Sequence, residues 1–137
     1  MAVLVGVLLT SPGCLMIATA PIRIARREQA QAAFDRLADR TPEQIAAFLD
    51  ERMAAKLSFT GDQAPRVSAL NLEHARKLRA IAASDDGVRA KGRAMDRLND
   101  AHEAALKAVL TAEQFATFLA MKEEMRDALK DAARTGH

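Results

Sequence analysis

The chain has 137 residues, 20 Lys and Arg against 18 Asp and Glu, no Trp or Tyr, five Phe and a single cysteine. That length suits one domain, and the balanced, interspersed charge argues against a nucleic-acid binder, which would carry a clustered basic patch with aromatics. With only Cys14 available, an intrachain disulfide and a cysteine-based metal site are both excluded.

Residues 1–20, MAVLVGVLLTSPGCLMIATA, contain no charged side chain and close on Ala18-Thr19-Ala20. A short apolar stretch before a small-x-small site reads as a signal peptide cleaved after Ala20. No basic residue precedes the apolar stretch, and Arg23, Arg26 and Arg27 follow it, which is the arrangement of an uncleaved membrane anchor. Cys14 would suit a lipoprotein signal, but Ser11 and Pro12 stand where a Leu and a small residue are required. Cleaved export to the periplasm is the leading expectation, with an inner-membrane anchor through residues 2–20 as the alternative.

The remaining chain, 21–133, is expected to form one helical domain followed by a short flexible tail, 134–137. The full sequence holds 30 Ala with only six Gly and four Pro, a composition that favours helices. The first helical stretch, from Ile22, turns Phe34, Leu37 and Ala38 to one side. Thr41-Pro42-Glu43-Gln44 then restarts the helix as a capping box: Thr41 accepts from the backbone of Gln44, and Gln44 reaches back to the Thr41 amide. Pro42 suits the first helical position. The stripe behind it is Ile45, Phe48, Leu49 and Met53.

Thr60-Gly61-Asp62-Gln63 repeats the cap, with Pro65 placing the start of regular helix at itself. Val67, Leu70, His74, Leu78 and Ile81 form the next stripe. Ser84-Asp85-Asp86-Gly87 breaks that helix and is expected to cap the following one, whose stripe is Val88, Met95, Leu98, His102, Ala105 and Val109. Thr111-Ala112-Glu113-Gln114 opens a last helix with Phe115, Phe118, Met125 and Leu129 inward. The fold is therefore all-α, four to five helices joined by short connections into hairpins. Only 27 large apolar residues follow Pro21, which is thin for a closed core and points either to a flat layer of helices or to a core completed by a partner chain.

One phrase recurs along this chain. TPEQIAAFL from Thr41 and TAEQFATFL from Thr111 share six of nine positions, and TGDQAPRVSAL begins at Thr60. With its flanks, LSFTGDQAPRVSAL and VLTAEQFATFLAM, the chain resembles the LTxxQ-motif family of small periplasmic helical proteins, the Spy-like and CpxP-like envelope-stress proteins. Leu110, Thr111 and Gln114 match the motif completely. Thr60 and Gln63 match with Phe59 in place of Leu, and Thr41 and Gln44 follow Arg40 and form a partial copy. The resemblance spans about Arg40 to Ala133. It implies a thin, bent layer of helices pairing as a cradle-shaped homodimer, and an ATP-independent chaperone-like activity on unfolded or stress-related polypeptides. The motif residues themselves are structural caps, so the resemblance assigns no client-binding residue.

Catalytic residues are not expected: Ser58, Ser68 and Ser84 stand in linker, helix-surface and cap settings, and no phosphate-binding glycine loop occurs. No cofactor is expected. Two histidines interrupt apolar stripes. In a hairpin centred near Gly87, residue 74 lies opposite about residue 100, so His74 and His102 meet. They would hold a metal ion, titrate as a pair, or sit partly exposed, each beside its own carboxylate, Glu73 and Glu103. The last reading is preferred, because two imidazoles fall short of a zinc ligand set. Two further functions stand beside the chaperone reading: a membrane-anchored sensor or regulator of a stress or metal response, and a purely structural interaction protein.

Overall fold

The computed structural model describes residues 20–135, with the side-chain surroundings of 23–128 and 131. The leader residues through Thr19, with Cys14, and the tail residues 136 and 137 lie outside the described residues. Five helices follow in chain order: α1 (Ala20–Ala38), α2 (Pro42–Lys56), α3 (Gln63–Ala83), α4 (Val88–Val109) and α5 (Ala112–Thr135). The described residues contain no strand, and none of their helices is long and apolar enough to cross a membrane. The fold is all-α, in keeping with the composition. Helix α5 continues to Thr135, two residues beyond the expected end of the domain.

Helix α3 is central, with the backbones of α1, α2 and α4 against it, while α5 approaches α2 and α4. Two small apolar clusters hold this arrangement. Met53, Leu57, Val67, Leu106, Leu110, Phe118 and Met121 form the larger, where α2, α3, α4 and α5 converge. Ile45, Ala46 and Ala75 form the smaller, with Leu37, Leu49, Leu72 and Leu78 against it. Burial of such side chains is the main favourable contribution to folding, roughly 1.5–3 kcal/mol for each fully buried large residue.

The clusters are separated by polar residues. Along α2, Asp50 lies between Ala46 and Met53; along α3, Asn71 lies one turn from both Val67 and Ala75. Residues three and four apart share a helix face, so Asp50 and Asn71 occupy the same faces as the two cores. A polar layer thus divides them.

Helix ends are satisfied by side chains from neighbouring elements. Arg79 on α3 donates through Nε to the carbonyls of Ala38 and Arg40 at 3.2 and 3.0 Å, closing the C-terminus of α1. Lys91, 4% exposed, donates to the Ala82 carbonyl at 2.8 Å and lies over the Phe34 ring. A cation at a helix C-terminus meets both the unpaired carbonyls and the negative end of the dipole.

Several local expectations are corrected. Helix α3 starts at Gln63 rather than Pro65, because first-turn amides have no intrahelical acceptor and proline at that depth forfeits no bond. Ser84 ends α3, its hydroxyl donating to the Ile81 carbonyl at 2.9 Å, while α4 begins at Val88 behind Gly87 as N-cap, with no side-chain cap. Phe48 is 44% exposed and faces out of the core, with the Arg52 guanidinium 5.1 Å from its ring centre. The fully buried positions of α4 are Lys91 and Leu106, while the expected stripe of Val88, Met95, Leu98, His102, Ala105 and Val109 is partly buried. Leu129 lies outside the residues whose side chains are described.

Candidate binding groove and the motif clasp

The three copies of the repeated phrase do different work. Thr41 forms a complete capping box by itself: Gln44 N–H donates to Thr41 Oγ1 at 3.2 Å and Thr41 N–H donates to Gln44 Oε1 at 3.0 Å. Its glutamine is exposed and reaches no other element. Thr111 and Gln114 form the same reciprocal pair at 3.2 and 2.9 Å. Thr60 makes only half of one and is not the N-cap of α3: its N–H donates to Gln63 Oε1 at 3.1 Å, the Gln63 N–H goes to the Thr60 carbonyl, and Asp62 stands at the N-cap without a side-chain bond.

The second and third copies then join. Gln63 Nε2 donates to Gln114 Oε1 at 2.8 Å, and Gln114 Nε2 donates to Gln63 Oε1 at 2.9 Å. Each amide sends its other N–H to a carbonyl two residues before the opposite threonine, Gln63 to Val109 at 3.2 Å and Gln114 to Ser58 at 2.9 Å. The clasp is a local pseudo-twofold. It fixes the start of α3 against the start of α5 across 51 residues of sequence, and the residues before the two threonines, Phe59 and Leu110, both pack in the larger apolar cluster, Leu110 buried and Phe59 partly buried.

The clasp sets the course of α5 past α2. Between these helices opens a groove of about 920 Å³. Phe48, Ala55, Met121, Met125 and Ala128 supply its apolar lining, and Glu51, Arg52, Lys56 and Glu124 its charged rim. Phe48 on α2 and Leu119 on α5 are among the exposed large apolar residues. Methionine adapts its shape at low cost, which suits contact with varied apolar groups. The rim mixes both charges, so it selects no single sign of partner.

The histidines meet, as the hairpin register requires. Their rings stack with centroids 4.1 Å apart and planes 20° from parallel. His74 is buried, at 8% exposed, rather than partly exposed, while His102 is partly exposed. Glu73 and Glu103 are not their partners, because these pair with Lys77 at 2.6 Å and Lys122 at 2.5 Å. His102 Nε2 lies 2.9 Å from Asn71 Oδ1, and Asn71 Nδ2 donates to Asp50 Oδ1 at 2.7 Å. Ser68 donates to the other Asp50 oxygen at 2.6 Å. His74 Nδ1 is buried without a partner. Burial lowers both imidazoles from 6.5 to about 4, with Lys77 adding to the effect on His74, and His74 and Lys122 to that on His102.

Stacked rings hold their in-plane nitrogen lone pairs side by side rather than converging on one point, a poor geometry for a shared ion. Among the described residues no cluster of three or more His, Cys, Asp or Glu could hold a metal. Asn71 and Asp50 were not legible in the sequence. The only available signal was a polar residue at core spacing, Asn71 one turn from both Val67 and Ala75.

These features define a small helical protein with an open apolar groove and a structural, rather than reactive, repeated motif. The chain belongs to the family described as a domain of unknown function, DUF4890, whose profile matches residues 29–118. That match takes in all three motif copies and both histidines, and ends at Phe118, before Met121 and Met125 of the groove. No curated protein and no solved structure gives a significant match.

Proposed function

We propose that this protein is an ATP-independent, chaperone-like binder of unfolded polypeptides, acting in the periplasm as a dimer. The observation that carries this reading is the groove between α2 and α5: apolar and open, lined by Phe48, Met121 and Met125, and rimmed by both charges. Such a surface gains from burying any apolar segment, and its mixed rim charges demand no single sign of client. The resemblance of the Thr60 and Thr111 segments to the LTxxQ-motif family supports the same reading, as does the uncharged segment 1–20 for export. Groups held by weak apolar contact leave quickly, which suits a holdase that must release its client without nucleotide.

The test is suppression of aggregation of a reduced, unfolding client protein without ATP. The wild type should suppress it at near-stoichiometric ratios. Phe48→Ser combined with Met125→Ser should lose most of that effect while the helical signal remains. Equal suppression by wild type and variant removes the groove from the reading; no suppression by either removes the reading itself. Sedimentation equilibrium at micromolar concentration tests the dimer.

A further inference from the structure

Neutral His102 must donate from Nε2. Asp50 accepts from both Ser68 and Asn71, which turns the Asn71 amide so that Oδ1 faces His102 as an acceptor. An added proton therefore goes to His102 Nδ1. In His74 the buried, unpartnered Nδ1 holds a lone pair more cheaply than an N–H, so neutral His74 carries its proton on Nε2 and an added proton would leave a bare donor inside the protein. Charging both rings would also set two cations face to face at 4.1 Å.

We infer that the His74–His102 stack, held by Asn71 and Asp50, is a proton-sensitive latch that closes α3 on α4 near neutral pH and opens that junction in acid. The charged groups around it are Glu73 and Lys77 on α3, Glu103 on α4, Lys122 on α5, and Asp50 on α2 acting through Asn71. Each nearby acid already serves a lysine or the Ser68–Asn71 pair, so no carboxylate is free to receive an imidazolium. Opening bares Leu70 and Leu98, which line the small cavity of about 170 Å³ beside the rings; use of that surface for client capture rests on the binding reading above. Both imidazoles sit at about 4 in the folded chain, against 6.5 for a histidine free in water. The unfolded or opened state therefore binds more protons between those values. The latch contributes fully above pH 6.5 and is lost as pH falls through about 4.

Two measurements test this on the full chain. Proton NMR titration of the His Cε1 signals should place both rings well below about 6, with the same signals near their ordinary value of about 6.5 in urea. Amide hydrogen exchange, corrected for intrinsic rates, should show roughly tenfold or greater loss of protection in α3 and α4 between about pH 7.5 and about pH 4.5. The double variant His74→Phe, His102→Gln keeps a ring on α3 and an amide donor for Asn71, and should lose most of that pH response. Titration of either ring at about 6 or above overturns the latch, as does an undiminished acid response in the double variant. Neither readout uses a client, so the outcome is separate from that of the aggregation assay.

Discussion

Gln63 and Gln114, 51 residues apart, bind each other through both atoms of their side-chain amides, at 2.8 and 2.9 Å. Each also caps its own threonine and reaches a carbonyl on the opposing segment. The repeated phrase is thus one joint written in two places, and its third copy at Thr41 is an ordinary cap.

Gln63→Ala and Gln114→Ala should each lower stability by roughly 1–3 kcal/mol, since each strands the partner amide in a part-buried site. Their effects should couple, with the double variant losing less than the sum by about 0.5–2 kcal/mol. Gln44→Ala, at the solitary cap, should cost roughly 0.5–1 kcal/mol. Urea unfolding followed by circular dichroism checks all four chains; equal costs at 44 and 114 would deny the clasp any tertiary role.

Thr111→Ala should cost roughly 0.5–2 kcal/mol, because its hydroxyl accepts the Gln114 N–H at 3.2 Å. Thr60→Ala should cost less, since there the Gln63 N–H is already taken by the Thr60 carbonyl. Client binding should survive in both. A Thr111 variant that stays fully stable yet stops holding client would make the motif a recognition element.

Core and groove should separate in mutation. Met53 is 1% exposed in the larger cluster, so Met53→Ala should cost roughly 2–5 kcal/mol. Phe48→Ala, at a position 44% exposed, should cost under about 1 kcal/mol and weaken aggregation suppression. Thermal melts alongside the aggregation assay read both.

Zinc should find no stoichiometric site at the histidines. The two rings are stacked and Glu73 and Glu103 are committed to lysines. Calorimetric titration with zinc near neutral pH decides it: a sub-micromolar site that vanishes in both His74→Ala and His102→Ala would show that the stack opens to chelate, and would favour the metal-sensor reading.

Helix existence, the caps at Thr41 and Thr111 and the meeting of His74 with His102 follow from local rules: helical periodicity, threonine and glutamine at cap spacing, and a hairpin turn near Gly87. Those rules act within a few residues, so the chain states them by itself. What each cap touches is set elsewhere. Thr41, Thr60 and Thr111 carry the same phrase, yet only the copies at Thr60 and Thr111 reach one another, because only they stand where helices converge on the larger apolar cluster. Phe48 belongs to the apolar stripe by spacing and to the groove by position, since α5 passes α2 without covering it. Asn71 reads as a surface residue until Asp50 and His102 arrive from two other helices to satisfy its amide. Burial of a polar side chain depends on partners distant in sequence, and that is decided only when the helices assemble.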